Sequence, residues 1–424
     1  MTKFLTSTAL ATIFALPALA EQTDISQTVN ALQKALNTID ISDDATGVSQ
    51  AGINAANIIS IDFGSLDDVE QLSDGWMRQI SINDFETQGT PTNNAILSDV
   101  TQSGTNVLNS IDLTSDTGQS YDLNRLSQKI DDASQKAIND IDIRNGSSVD
   151  IDQDATNVMN MAAMDDLRED ARGADILQKV DDSSQVASNK FDIDLGVKNI
   201  AQDAVNVMNL AEIEDDLDGD SFQMVEHSTQ SATNNAFDTE LGASIENLMQ
   251  SAVNIANSLD VGGASTNGGG SAQYASIGQV YKGVQGGQLS SNFVAFSTGG
   301  VTGPVPDLNS DYIDQSALNA INLATVTDVG WTISQSATRV DQQAMNNAQG
   351  IGSSINADIT NFDQSATNVG NILSAGALPD ILGMTEVSQN FSGSQLAQNG
   401  MINADDLTSV TQAATNVINS VSGL

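Results

Sequence analysis

The chain contains no cysteine. That excludes disulfide staples and thiolate metal sites together. Aromatic residues make up only 4% of it, thin for a conventional oily core. Cations are equally scarce: 14 Lys and Arg stand against 55 Asp and Glu, for a formal charge of −41. A surface this acidic excludes nucleic-acid binding through a basic face and disfavours an anionic membrane surface. It keeps a protein soluble and attracts divalent cations. The one histidine, His227, sits in the polar run Glu226-His227-Ser228. That context reads as a solvated loop, not the seat of a general base. Beyond the N-terminal segment, no stretch is long and apolar enough to span a bilayer.

What is present begins with an export signal. Lys3 precedes a mostly apolar run from Phe4 to Leu19, and Ala18-Leu19-Ala20 supplies small residues for cleavage. Residues 1–20 therefore read as a secretory signal peptide, with a secreted or cell-surface mature chain from Glu21 and no integral membrane segment after cleavage.

The remainder, 21–424, is a repeat array. At 424 residues the chain has room for two or three ordinary domains, but self-similarity runs almost end to end. The phrase Gln-x-small-x-Asn recurs as Gln50 and Asn54, Gln102 and Asn106, Gln153 and Asn157, Gln202 and Asn206, Gln250 and Asn254, Gln315 and Asn319, Gln364 and Asn368, and Gln412 and Asn416. A second Asn follows seven residues after each Gln. The spacing is 48–52 residues except for one interval of 65. That interval contains Gly262-Gly263 and Gly268-Gly269-Gly270, so a Gly-rich insertion is assigned to about 261–310. A sister phrase interleaves, as in Gln33-Lys34-Ala35-Leu36-Asn37-Thr38-Ile39-Asp40, with relatives at Gln135, Gln185 and Gln230 and weaker ones at Gln342 and Gln395. Three copies have a further Gln seven residues upstream: Gln128, Gln178 and Gln223. No sister phrase stands out between 80 and 100 or between 270 and 300.

The first phrase alone fits a helix face, since its amides at i, i+4 and i+7 would align. The sister phrase decides for strands. Its Gln, Ala, Asn and Ile or Phe alternate with Lys, Thr, Ser and Asp. Residues 161–180 are the stretch whose composition most favours a helix. An inward row of Gln, Ala and Asn cannot sit in an oily core unsatisfied, because each lone amide would cost a few kcal/mol. Identical residues stacked at the strand spacing remove that cost, since an amide both donates and accepts. The small residue lets a facing strand approach. The Asn at i+7 falls where the chain should turn and tolerates a left-handed backbone.

These residues resemble the curlin-type repeats of bacterial extracellular fibres. Gln364-Ser365-Ala366-Thr367-Asn368 is similar to that family's Gln-x-Gly start, with Ala for Gly and the Asn one residue early; Gln102-Ser103-Gly104 keeps the Gly. The family's units are about half as long as those here. The resemblance implies stacked strand–turn–strand coils, secretion, and self-assembly into adhesive matrix fibres.

The expected fold is thus all-β: a parallel β-solenoid of either hand, with stacked Gln and Asn ladders. If each phrase marked one coil, about 16 coils would make a rod of about 75 Å. The expected function is a structural, non-enzymatic one, a fibre subunit or surface adhesin that self-associates or joins other matrix and surface proteins. Two other readings stay open. Asp215-Asp216-Leu217-Asp218-Gly219-Asp220 packs oxygen ligands around a turn, which makes Asp216, Asp218 and Asp220 candidate calcium ligands of a β-roll-like adhesin, calcium being the only candidate ion. Asp131-Asp132 and Asp181-Asp182 could serve a β-helical enzyme acting on polysaccharide, but their recurrence marks them as part of the repeat.

Overall fold

In a computed structural model, the structure describes residues 23–422 apart from 43, 62–63, 89–94, 114–120, 145, 165–174, 194–195, 214–218, 239–244, 262–273, 298–307, 327–329, 352–356, 376–385 and 403–405. The signal-peptide segment lies outside the described residues. Of the Gly-rich insertion assigned to 261–310, 262–273 and 298–307 lie outside them too, whereas Tyr274–Lys282 and Gln288–Ser297 are strands paired with their counterparts in the neighbouring units. Every regular element among the described residues is a strand, and every strand pairing is parallel. Among the described residues no helix is long and apolar enough to cross a membrane.

The first six repeat units each contribute three strands in sequence; in the seventh and eighth the first two rows run on as one strand, Gly330–Ile351 and Glu386–Ile402. In the third unit these are Tyr121–Asp131, Ala133–Arg144 and Gly146–Met164; in the fourth they are Asp175–Asp181, Ser184–Ile193 and Val197–Ile213. Each strand pairs with its counterpart in the next unit, not with its neighbour in sequence. Gln128 lies beside Gln178, Gln135 beside Gln185, and Gln153 beside Gln202. First- and second-row strands make one 14-stranded sheet, joined through the long strand Gly330–Ile351; third-row strands make a second sheet of ten. The second-row Asn37 donates to Ala51 O and Gln33 to Ala55 O of the third row, so these two rows face each other across the interior.

This pairing corrects the coil count. The phrase and its sister lie on facing strands of the same unit and do not stack on each other. Eight units at the usual strand spacing of about 4.8 Å extend about 35 Å, half of the 75 Å expected from one phrase per coil. The expectation of a helix over 161–180 is overturned at both ends of that stretch, and its middle, 165–174, lies outside the described residues. Met161–Met164 and Asp175–Val180 are strand. The Ala- and Met-rich composition suits a helix, but alternation buries Ala162 and Met164, which pair with Ala211 and Ile213 of the next unit.

Left-handed residues make the corners. The Asn at i+7 has positive φ in Asn57, Asn109, Asn160, Asn209, Asn257, Asn322 and Asn419. A second corner lies three residues before each third-row Gln, at residues as varied as Gly47, Asp99, Asn199, Tyr312 and Ser409. A third lies between the first and second rows, at Asp132, Asp182 and His227 among others. The third-row strands therefore run through two bends, which is why Ala95–Leu113 can be 19 residues long. The 65-residue interval does not disturb the pairing: Gln250 and Gln315 sit in register.

Apolar residues fill the spaces between amides. One cluster gathers Ile111, Leu126 and Ile176, a second Phe85, Ile141 and Phe191, and a third Met159, Met208 and Ile130. At the centre, Ala137, Ala155, Ala187 and Ala204 form a buried cluster of their own between the facing strands. Where the second row carries Ser81 in place of Ala, the third row carries Gly52 and Gly104. A Cβ on Gly52 would stand 2.3 Å from Ser81 Oγ, and that hydroxyl donates to Gly52 O at 2.7 Å. Gly52→Ala should therefore cost about 1–3 kcal/mol from overpacking. Adding Ser81→Ala, which restores the Ala–Ala pairing of other units, should recover most of that loss in urea unfolding.

Candidate functional site

The amide rows are the most regular chemical feature. The first row carries one Gln per unit, the second a Gln and an Asn, and the third a Gln and two Asn. Gln153 Nε2 donates to Gln102 Oε1 at 2.8 Å, and Gln202 Nε2 to Gln153 Oε1 at 2.7 Å. Asn106 Nδ2 donates to Asn157 Oδ1, and Asn157 to Asn206, each at 2.8 Å. In many of them the remaining N–H turns to a carbonyl of the facing sheet, as Asn157 does to Val186 O at 2.9 Å and Gln153 to Lys190 O at 3.0 Å. Amides with under 1% exposure are thereby satisfied without water.

The ladders have opposite senses. Gln residues donate toward the N-terminal end, from Gln71 to Gln27 through to Gln412 to Gln364. Asn residues donate toward the C-terminal end, from Asn54 to Asn106 through to Asn368 to Asn416 and Asn371 to Asn419. Of the sixteen phrase residues named from sequence, Gln50 through Gln412 form one stack and Asn54 through Asn416 another. Three further stacks are less apparent in the sequence. The first-row Gln stack includes Gln71, Gln279, Gln335 and Gln389 as well as the three upstream Gln. The sister phrase is also present at Gln79-Ile80-Ser81-Ile82-Asn83 and Gln288-Leu289-Ser290-Ser291-Asn292. Ser in place of Ala hid both copies.

Of the calcium candidates, Asp220 alone is among the described residues. Asp216 and Asp218 lie outside them. Asp220 is exposed and in a stack of backbone contacts: its N–H donates to the Asp175 carboxylate at 3.0 Å, and its own carboxylate accepts from Ser276 N at 2.9 Å.

Charge gathers at the corner between first and second rows. Asp131, Asp181, Glu226 and Lys282 stack in register there. Lys179 reaches Asp181 at 3.0 Å and Glu226 at 3.4 Å, Lys282 bonds Glu226, and His227 Nδ1 lies 3.1 Å from Asp181 Oδ1. Burial raises the Asp181 carboxyl, but hydrogen bonds from Lys179 and His227 outweigh it and hold the group below its ordinary range. The Lys282 hydrogen bond does the same for Glu226. Asp181, Asp182 and His227 bring ligand atoms within 4.8 Å of one another. A metal there would have to displace the Lys179 ammonium, so the arrangement is explained by ion pairing. This also accounts for the Asp pairs: Asp132 and Asp182 supply left-handed corners.

Uncompensated charge lies along the third row. Asp154 and Asp203 are in register, with Asp152 close by. Burial, then Asp152 and Asp203, push the Asp154 carboxyl up to about 6. A carboxyl raised in the fold destabilises it once ionised. The penalty is absent below the unfolded value near 4 and complete above about 6. Two units would amount to about 2.7 kcal/mol, which solvent screening of a half-exposed group reduces to about 1 kcal/mol. Asp154→Asn should therefore stabilise the protein by about 1 kcal/mol at pH 8 and by nothing measurable below pH 4, as read from urea unfolding at the two pH values.

Beside this stack runs a groove of about 1160 Å³, from Asp99 in the second unit to Thr411 in the eighth. It follows the corner three residues before each third-row Gln. Asp99, Asp150, Asp152, Asp314 and Asp363 line it, with Met249 and Tyr312, each 59% exposed. No Lys or Arg is among the lining residues. Asn247 donates to Asn199 at 2.8 Å and Asn199 to Asp150 at 2.7 Å, forming a short outward amide stack along its floor. Compared with protein-family models, with curated proteins and with solved structures, the chain matches none of them.

Proposed function

We propose that the chain is a parallel β-solenoid of eight coils and acts as a secreted, curlin-like structural subunit that joins end to end into fibres. The observation that carries this reading is the polarity of the ladders. Because the inward ladder Gln residues donate one way and the inward ladder Asn residues the other, the two ends of the stack are complementary. At the first coil, Gln50 Nε2 bonds Asp84 O at 3.0 Å and has one hydrogen left to give, and Asn54 Oδ1 has no donor among the described residues. At the last coil, Gln412 Oε1 is open to accept and Asn416 Nδ2 to donate. A second copy stacked head to tail meets acceptor with donor in both ladders. Head-to-head stacking with like residues opposed would set Gln donor against Gln donor and Asn acceptor against Asn acceptor. Unpaired strand edges at the two ends add backbone hydrogen bonds to the same contact.

The net charge of −41 opposes association, and salt relieves it. The test is fibre growth of the chain from Glu21, followed by light scattering and electron microscopy at rising salt. Growth should quicken with salt. Asn416→Asp, which turns a donor into a charged acceptor facing Asn54 Oδ1, should slow it about tenfold, equivalent to about 1.4 kcal/mol per added subunit. A chain that remains monomeric at all salt concentrations, or a variant that grows as fast as the parent, would overturn the reading.

A further inference from the structure

The groove along the third-row corner is not used by the ladders or by the ends. It crosses seven units, so at the strand spacing it is about 30 Å long. That is a shape for an extended chain, not for a compact small molecule. Its charge is of one sign. Its five carboxylates, Asp99, Asp150, Asp152, Asp314 and Asp363, are exposed, and all belong to a lining without any cation. They repel one another. Burial and then Asp363 raise the Asp314 carboxyl, and burial and then the Asp152 charge raise both Asp154 and Asp203. The protein does pair carboxylates elsewhere: Lys179 and Lys282 are spent on the other corner, and Lys190 on Asp140. The groove is where intramolecular compensation is missing.

From this placement we infer that the groove is a docking surface for an extended, Lys- or Arg-rich polypeptide segment. Carboxylates recur along it at multiples of about 4.8 Å, while same-side residues of an extended strand recur about every 6.8 Å. Long flexible cationic side chains absorb that mismatch. Their aliphatic stems can lie on Met249 and Tyr312 while the ammonium groups reach the Asp rows. A segment of about nine residues spans the length. Ligation needs no change in the fold, because all the groups involved are on strand residues already fixed by register.

The inference is independent of end-to-end assembly, and the experiment uses dilute chain from Glu21 in low salt, below any fibre growth. A fluorescent peptide of alternating Lys and Thr, about nine residues long, is titrated and its anisotropy recorded. A Glu–Thr peptide, a neutral linear glucan oligosaccharide and calcium ion alone are the comparison probes. Two variants each remove four charges. One carries Asp99→Asn, Asp152→Asn, Asp314→Asn and Asp363→Asn; Asn suits the left-handed backbone at position 99, where φ is 53°. The other carries Asp40→Asn, Asp84→Asn, Glu212→Gln and Asp260→Asn, exposed carboxylates outside the groove. Circular dichroism first establishes that each variant keeps the parent strand signal. The groove variant should bind the Lys–Thr peptide about tenfold more weakly, and the other within about twofold of the parent. Added salt should abolish binding in all three. Equal loss in both variants would show diffuse attraction to an acidic surface and overturn the inference. So would an unchanged groove variant, tighter binding of the glucan, or binding of calcium without the peptide.

Discussion

Gln153→Ala should lower the unfolding free energy by about 4 kcal/mol, and Gln412→Ala by about 1 kcal/mol or less. The two residues occupy the same place in the repeat and differ only in what surrounds them. Gln153 is fully buried; it donates to Gln102 Oε1 and Lys190 O and accepts from Gln202 Nε2. Truncation orphans all three partners in a space between two sheets, at about 1–3 kcal/mol each, less whatever an entering water recovers. Gln412 is exposed, and its one side-chain bond, to Gln364 Oε1, is at the open end of the stack. Urea unfolding followed by circular dichroism reads the difference. Equal small losses at both positions would mean that the ladders do not stabilise the interior.

Asn160→Val should cost about 4 kcal/mol, and Asn160→Gly about 1–2 kcal/mol less than that. Two effects add at this corner. Asn160 has φ 54°, a conformation that costs a β-branched residue about 1–2 kcal/mol and glycine nothing. Its side chain also accepts from Asn109 at 3.0 Å and donates to Asn209 and to Lys179 O, each at 2.9 Å. Both substitutions lose those bonds; only Val adds backbone strain. The gap between the variants measures the strain, and the loss common to both measures the ladder. Identical destabilisation by Val and Gly would show that the left-handed corner carries no cost of its own.

How far the sequence reveals this arrangement depends on which residues are considered. The third-row phrase is plain because no insertion ever falls between its Gln and its two Asn. The Asn at i+7 could be read as a turn because few residues tolerate positive φ. The first-row Gln is obscured by variable corners. Gln128 precedes its second-row partner by seven residues, but Gln27 stands six before Gln33 and Gln279 nine before Gln288. Fixed-spacing inspection finds the first case and misses the others. The sister copies at Gln79 and Gln288 escape for a different reason, the replacement of Ala by Ser. The pairing of phrase with sister across the interior, instead of one above the other, is not encoded locally at all. Both arrangements satisfy the same alternation, and the choice depends on corner geometry between the rows. The acidic groove is likewise hidden. Its defining positions hold Asp, Asn, Tyr and Ser, united by backbone conformation and not by chemistry.

The absence of native cysteine makes the decisive measurement simple. Thr156 and Val205 are outward-facing register partners in adjacent units, whereas Ser188 lies on the facing strand with its side chain directed away from Thr156. If each unit of about 49 residues makes one turn of the stack, the double substitution Thr156→Cys with Val205→Cys closes a disulfide under mild oxidation, because adjacent strands place Cα atoms about 5 Å apart. The pair Thr156→Cys with Ser188→Cys stays reduced. Rapid closure of the second pair and failure of the first would contradict the account, since that is the outcome if each phrase formed a coil of its own.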